Sequence, residues 1–338
     1  MPRQLDRTED REGRRTGTVA VVVVTWNSAA VLPGFLDALP AAMAGLEWRL
    51  VVADNDSSDD TVAVLRKHAP DATVVETGRN GGYAFGVNAA LRAAGAFDGD
   101  CAAVLVCNPD IRMTEGCAAT LVAGLGAALP DGTRAGITVP LLYEADGTLV
   151  HSLRRESTVP RALGEAVLGN RRAGRFPRWS ELVTAPGAYA GRTSPDWATG
   201  ALMALSAECL ADCGPWDESF FLYSEETEYC LRARDLGHRT RLEPEARAVH
   251  LGGESRVSPR LWSLLVVNRV RLYRRRHGLA ATAAFRGAVL LRELSRAALG
   301  RRPARAAVRA LLGGGGGPAG AAGAAGHRAG PSTGAARG

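Results

Sequence analysis

Residues 18–27 read Thr-Val-Ala-Val-Val-Val-Val-Thr-Trp-Asn, an unbroken aliphatic run closed by polar residues. β-Branched side chains suit a pleated strand, and the lack of polar alternation predicts a strand buried on both faces. Outward from this run the pattern recurs. Thr18–Thr25, Trp48–Ala53, Ala72–Glu76, Ala102–Cys107 and Ala135–Val139 read as buried strands. Val31–Leu39, Asp59–His68, Gly86–Ala94 and Glu115–Leu125 read as helices between them. Such alternation predicts an α/β fold with a mostly parallel sheet and helices on both faces, because parallel strands need crossover connections. Ligands in such folds sit at the carboxyl ends of the strands, so the residues just after each strand carry the chemistry.

The chain has 338 residues, 46% hydrophobic and 22% charged, which excludes collagenous and globally disordered classes. No apolar stretch approaches the roughly 20 residues of a membrane span, and Met1–Thr16 lacks the apolar centre of a secretory signal. A cytoplasmic location is the expectation. None of the six cysteines forms a C-x-x-C pair, so small buried apolar thiols are expected rather than a disulfide or zinc framework. The net charge of +6 conceals a segregation: residues 256–309 hold fourteen arginines against Glu293 alone, whereas residues 1–255 carry −9.

Residues 154–194, rich in Arg, Pro and Gly, predict an irregular connection. A second ordered block follows from Asp196 to about Ser255, and Ser258–Leu312 reads as basic helices. Gly313–Gly338 has almost no large apolar residue and reads as a disordered tail.

Three strand ends stand out. Asp54 opens Asp-Asn-Asp-Ser-Ser-Asp, where Ser57 or Ser58 is expected to cap the next helix and Asp54 to contact a nucleotide. Gly78–Asn88 is a glycine-dense loop entering a helix, suited to close backbone approach by a phosphate or to an ordinary turn. Asn108-Pro109-Asp110 ends the fourth strand. Its Asp suits a hard divalent cation bridging two phosphates, although Asn-Pro-Asp alone also makes common turns.

In combination, V-V-V-T-W-N, A-D-N-D-S-S-D, R-N-G-G-Y-A-F-G-V-N and C-N-P-D resemble the family 2 glycosyltransferases, in their bacterial rhamnosyltransferase-like branch. The resemblance continues through Trp197–Ala201, Asp217–Glu226 and His250–Ser255. It implies a GT-A fold over residues 18–257, with nucleotide-sugar binding in 18–152 and an acceptor and catalytic half in 153–257. Residues 1–17 would be a disordered N-terminal segment, 258–312 basic C-terminal helices and 313–338 a disordered tail. It also implies that Thr25, Asn27, Asp54, Asn80, Gly82, Asn88, Asn108 and Gly200 bind the nucleotide sugar. Asp110 and His250 would bind Mg2+ or Mn2+.

The run Phe220–Glu226 contains two adjacent carboxylates. Attack by a sugar hydroxyl requires a base, and Glu226, with Glu225 beside it, fits that need. The plain alternative is a solvated helix start, where acids are favoured by the helix dipole. The family usually carries Glu-Asp here, so Glu226 places its carboxylate one methylene further out.

The expected activity is inverting, metal-dependent transfer of a sugar, rhamnose from dTDP-rhamnose first among candidates, to a hydroxyl of a glycan or lipid-linked glycan in cell-wall or polysaccharide biosynthesis. A nucleotide-sugar-binding protein with little turnover is the alternative, and nucleic acid is not expected as a partner. The arginines from Arg269 to Arg276, beside Leu264–Val267, fit either a helix at the inner face of the cell membrane or one packed on the catalytic domain.

Overall fold

The computed structural model describes residues 17–252 and 258–313. The predicted N-terminal segment and tail therefore lie outside the described residues except for Gly17 and Gly313, as do Gly253–Ser255 of the last motif. The strands are β1 (Val19–Thr25), β2 (Trp48–Asp54), β3 (Thr73–Glu76), β4 (Ala103–Cys107), β5 (Ile111–Met113), β6 (Arg134–Tyr143), β7 (Leu153–Arg154), β8 (Trp197–Ala198), β9 (Leu202–Ser206) and β10 (His238–His250). The helices are α1 (Leu32–Ala42), α2 (Thr61–His68), α3 (Tyr83–Ala93), α4 (Cys117–Gly124), α5 (Val159–Leu168), α6 (Asn170–Ala173), α7 (Ala207–Cys213), α8 (Glu225–Asp235), α9 (Pro259–Arg276), α10 (Leu279–Ala298) and α11 (Arg302–Leu312).

All of β1 is buried, as its uninterrupted aliphatic sequence requires. Its two faces serve different cores. Ala20, Val22 and Val24 pack with Ala84, Val87 and Leu91 of α3, whereas Val19, Val21 and Val23 pack with Leu32, Phe35 and Leu39 of α1. Burying each valine side chain stabilises the fold by about 1.5–3 kcal/mol.

Among the described residues the main sheet runs β3-β2-β1-β4-β9-β6-β10-β5. The β1–β4 half is parallel, as predicted, but β9 enters antiparallel between β4 and β6, and β5 is antiparallel to β10. The two halves therefore share one sheet. This is the mostly parallel α/β architecture, with helices on both faces, expected of the GT-A arrangement. β3 differs from its predicted burial. As an edge strand it exposes Thr73 and Glu76, and Glu76 pairs with Arg66 at the surface.

Residues 154–194 are more ordered than their composition predicts. Thr158 caps α5 by accepting from the Arg161 amide at 3.3 Å, and Pro160 occupies its first turn, which needs no donor there. The predicted cap of α2 is also corrected. Ser57 bonds to Asp54 and Asn27 and Ser58 to Asn27 at the end of β1, and Asp59 accepts from the Thr61 amide at 3.0 Å.

α9, α10 and α11 build a third core. Val266, Tyr273, Phe285, Val289 and Leu311 meet Ala162 of α5, and Tyr273 stacks on Phe285 at 4.0 Å. α9 packs on the catalytic part of the chain through several of its arginines. Arg269 bonds to buried Glu165 at 3.0 Å and Glu181 at 2.5 Å, Arg276 bonds to Glu156 and Asp235, and Arg275 pairs with Asp217. Arg271 donates to the Ser219 carbonyl, and Val266 and Leu272 are buried.

Candidate active site

The site lies where β1, β2 and β4 end and where α8 begins. Thr25 is buried and donates to Asp54 Oδ1 at 2.8 Å, while Ser57 donates its hydroxyl to Oδ1 at 2.6 Å and its amide to Oδ2 at 2.9 Å. Asp54 thereby locks the two strand ends together. Asn27, exposed and in the left-handed region at φ 51°, accepts from the Ser58 amide at 2.8 Å.

The glycine-dense loop is built against the acidic run. Asn80 accepts from the Gly82 amide at 3.1 Å, Asn55 donates to the Gly82 carbonyl, and the Tyr83 amide donates to the Phe221 carbonyl at 2.8 Å. Gly82 has φ 94°, and a Cβ there would collide with the Phe221 carbonyl oxygen. Only glycine satisfies both demands. Asn88 has a different task from the one the resemblance implies. Buried in α3, it accepts from the Trp216 amide at 2.8 Å and donates to the Trp216 carbonyl and Glu218, so its amide clamps the two halves.

Asp110 and His250 come together through strand register. Ile111 and His250 are partners in the β5–β10 ladder, and Asp110 Oδ2 lies 3.3 Å from His250 Nε2. A Cβ on Gly252 would stand 2.8 Å from His250 Nε2 and 2.9 Å from Asp110 Oδ2, so the missing side chain keeps both donors open. A carboxylate oxygen and an imidazole nitrogen this close fit a single shared divalent cation. No cluster of three or more His, Cys, Asp or Glu residues suited to a metal occurs among the described residues, so any remaining donors would come from water or a ligand. Asn108 supplies its backbone amide to the Ala201 carbonyl at 2.9 Å, placing the Asn108–Asp110 turn beside Gly200.

Gly200 in turn packs on the acidic pair, since a Cβ there would stand 2.8 Å from Glu226 Cβ. Tyr223 and Ser224 are both left-handed, at φ 67° and 78°, immediately before α8. Two such non-glycine residues in succession hold the backbone in a costly bend, which aims Glu225 and Glu226 inward instead of into solvent. Glu225 Oε2, Glu226 Oε2 and Tyr83 Oη are buried and lack hydrogen-bond partners among the described residues. Partnerless buried polar atoms occur elsewhere among the described residues too, but only here do two carboxylates share the feature with a phenol in their electrostatic reach.

Burial and the neighbouring Glu226 push the Glu225 carboxyl well above the usual range, and burial also raises Glu226. Backbone amides offset the burial at both carboxyls, and at Glu226 the Arg154 guanidinium adds to that offset. Burial, with Cys107, Glu225, Glu226 and Asp110 nearby, holds the Tyr83 phenol well above its ordinary value and therefore protonated. Tyr83 and Arg154 escaped the sequence reading. Tyr83 sat unremarked within a glycine motif, and Arg154 was one arginine among many. Half-buried Arg154 donates to the carbonyls of His151 and Leu153.

Residues 20–168 match the family Glycosyl transferase family 2. Over 246 residues the chain is 28% identical to an N-acetylglucosaminyl-diphospho-decaprenol L-rhamnosyltransferase of Mycobacterium tuberculosis, covering 70% of this chain and 76% of the relative. A low-salt glycan biosynthesis hexosyltransferase of Haloferax volcanii is 29% identical over 187 residues, or 54% of this chain and 52% of the relative. Among solved structures, a mannosyltransferase from Pyrobaculum calidifontis in complex with GDP-Man and Mn2+ aligns over 88% of this chain and 75% of its own, at 19% identity and TM-score 0.49. The sequence motifs in their order and the match over residues 20–168 agree: this part of the chain matches glycosyltransferase family 2, and the chain is similar to a rhamnosyltransferase and a hexosyltransferase.

Proposed function

We propose that the protein transfers rhamnose from dTDP-rhamnose, with inversion, to a hydroxyl of a lipid-linked glycan acceptor of cell-wall or polysaccharide biosynthesis. The observation that carries this reading is the burial of the partnerless Glu225, Glu226 and Tyr83 oxygens, with Tyr83 within electrostatic reach of both glutamates and of Asp110. The choice of sugar and acceptor is supported by the mycobacterial relative, whose name specifies rhamnosyl transfer to a diphospho-decaprenol-linked N-acetylglucosamine.

Asp110 and His250 would hold Mg2+ or Mn2+, which when bound supplies positive charge against the diphosphate leaving group. Glu226 accepts the proton of the acceptor hydroxyl as its oxygen bonds to the anomeric carbon and the bond to the diphosphate breaks. Its raised pKa suits that role better than an ordinary carboxylate would. Glu225, kept protonated by burial and by Glu226, adds no second charge. Tyr83, held protonated, keeps a hydroxyl proton to donate to a bound ligand. Thr25, Asn27 and Asp54, with Asn80 and Gly82, form the strand-end rim for the nucleotide. Asn88 and Gly200 support that rim from behind, one as a clamp and the other by admitting Glu226. A cytoplasmic enzyme fits this reading, and among the described residues no helix is long and apolar enough to cross a membrane.

The test is a panel of nucleotide sugars offered to the purified chain with a polyprenyl-diphospho-N-acetylglucosamine acceptor, with and without divalent metal. Metal-stimulated dTDP release coupled to rhamnosyl product is expected. Tight donor binding without release from any donor would replace this reading with a nucleotide-sugar-binding protein.

A further inference from the structure

The acceptor half carries a surface that takes no part in the chemistry above. α5 turns Ala162 and Glu165 inward and leaves Leu163, Val167 and Leu168 exposed, Val167 by 76%. The chain after α6 folds back over this helix. A Cβ on Gly164 would stand 2.7 Å from Trp179 Cβ and collide with the Trp179 carbonyl, so Trp179 lies on α5 between the exposed aliphatic side chains. Arg161 pins the fold-back by donating to the Pro177 carbonyl at 2.9 Å and the Glu156 carbonyl at 2.6 Å. Phe176 and Trp179 nevertheless remain 54% and 47% exposed.

The charge on this surface has one sign. Arg171, Arg172, Arg175 and Arg178 are exposed, and none has a carboxylate partner among the described residues. The single acid between Val159 and Trp179 is Glu165, which faces inward to Ser180 and Arg269. The contrast with α9 is direct, because there Arg269, Arg275 and Arg276 are spent on carboxylates.

We propose that the α5–Trp179 surface docks on an anionic lipid bilayer. Aromatic and aliphatic side chains interleaved with unpaired arginines can enter the headgroup boundary while the guanidinium groups stay with lipid phosphates. An exposed apolar cluster rimmed only by cations is complementary to such a surface. β7, directly upstream of α5, carries Arg154 beside Glu226, so a docked chain holds its acidic pair near the membrane face. The biological use of the contact rests on the lipid-linked acceptor proposed above, whereas the contact itself is measurable without any sugar.

The experiment uses the full chain with vesicles of phosphatidylcholine alone or mixed with phosphatidylglycerol. It reads sedimented protein and the quenching of Trp179 by brominated lipid, with Trp179→Phe as the subtraction. Salt-sensitive binding to the anionic vesicles is expected, with quenching lost in Trp179→Phe. Replacing Arg171, Arg172, Arg175 and Arg178 by Gln should lower the partition coefficient about a hundredfold or more, with donor hydrolysis in solution unchanged. Equal binding to neutral vesicles, undiminished binding of the Gln variant or unquenched Trp179 would overturn the proposal. So would concentration-dependent self-association removed by Phe176→Ser, which would make the surface a contact between copies. Binding retained by a protein that hydrolyses no donor would leave this surface standing and remove only the catalytic reading.

Discussion

His250 Nε2 faces Asp110 Oδ2 at 3.3 Å because the β5–β10 register sets Ile111 opposite His250. A residue at a strand end and another well over a hundred positions later thus share one small space, which Gly252 leaves open.

Asp110→Ala is expected to abolish metal-dependent transfer while leaving the thermal midpoint nearly unchanged, since it opens no core cavity. Gly252→Ala should give a milder version, because its methyl would enter the same space. Full activity of Asp110→Ala, or of the wild type in excess chelator, would remove the metal-holding role.

Glu226→Gln keeps the shape of the side chain and removes the proton acceptor. Turnover should fall by about two to four orders of magnitude with donor affinity little changed. A larger loss in Glu225→Gln than in Glu226→Gln would reassign the base to Glu225.

The pH dependence has a definite sign. A base must be ionised to act, so activity should rise with pH through an apparent pKa above the ordinary carboxylate range, because burial raises both acids of the pair. Arg154 favours the Glu226 anion, and Arg154→Met should therefore move the acidic limb of the kcat profile to still higher pH. A limb that stays in place would show that Arg154 does not act on Glu226.

Arg269→Met should destabilise the fold by about 3–5 kcal/mol, because it leaves Glu165 and Glu181 buried beside each other without their cation. Denaturant unfolding measures this directly. A change below about 1 kcal/mol would mean that the pair protonates at little cost.

Gly82→Ala should lose activity and stability together. The left-handed backbone costs about 1–3 kcal/mol, and the methyl collides with the Phe221 carbonyl, which leads into the acidic run. Wild-type melting with lost turnover would confine the effect to the site.

The parallel half of the sheet was legible because its strands carry short, mostly apolar runs rich in valine, separated by helical stretches. β9 was hidden: Leu202–Ser206 follows directly on the Trp197–Ala201 motif, and no local pattern reveals that it will run antiparallel between β4 and β6. α5 was obscured by an arginine- and glycine-rich context although its Thr158 cap and Pro160 were present. Asp110, His250, Glu225 and Glu226 were singled out through ordered motifs. Tyr83 and Arg154 depend on partners remote in sequence, which spacing cannot supply. The destination of the α9 arginines depended likewise on where Glu156, Glu165, Glu181 and Asp217 folded.

The insertion of β9 also dictates the timing of folding. During synthesis β1, β2 and β4 can assemble early, but the free edge of β4 finds its hydrogen-bonding partner only when Leu202–Ser206 has left the ribosome. Until then a fully buried strand of the finished protein, Ala103–Cys107, presents an open apolar edge of the kind that templates aggregation. A nascent chain halted near residue 152 should therefore need a chaperone to stay soluble, and release from it should coincide with the emergence of β9.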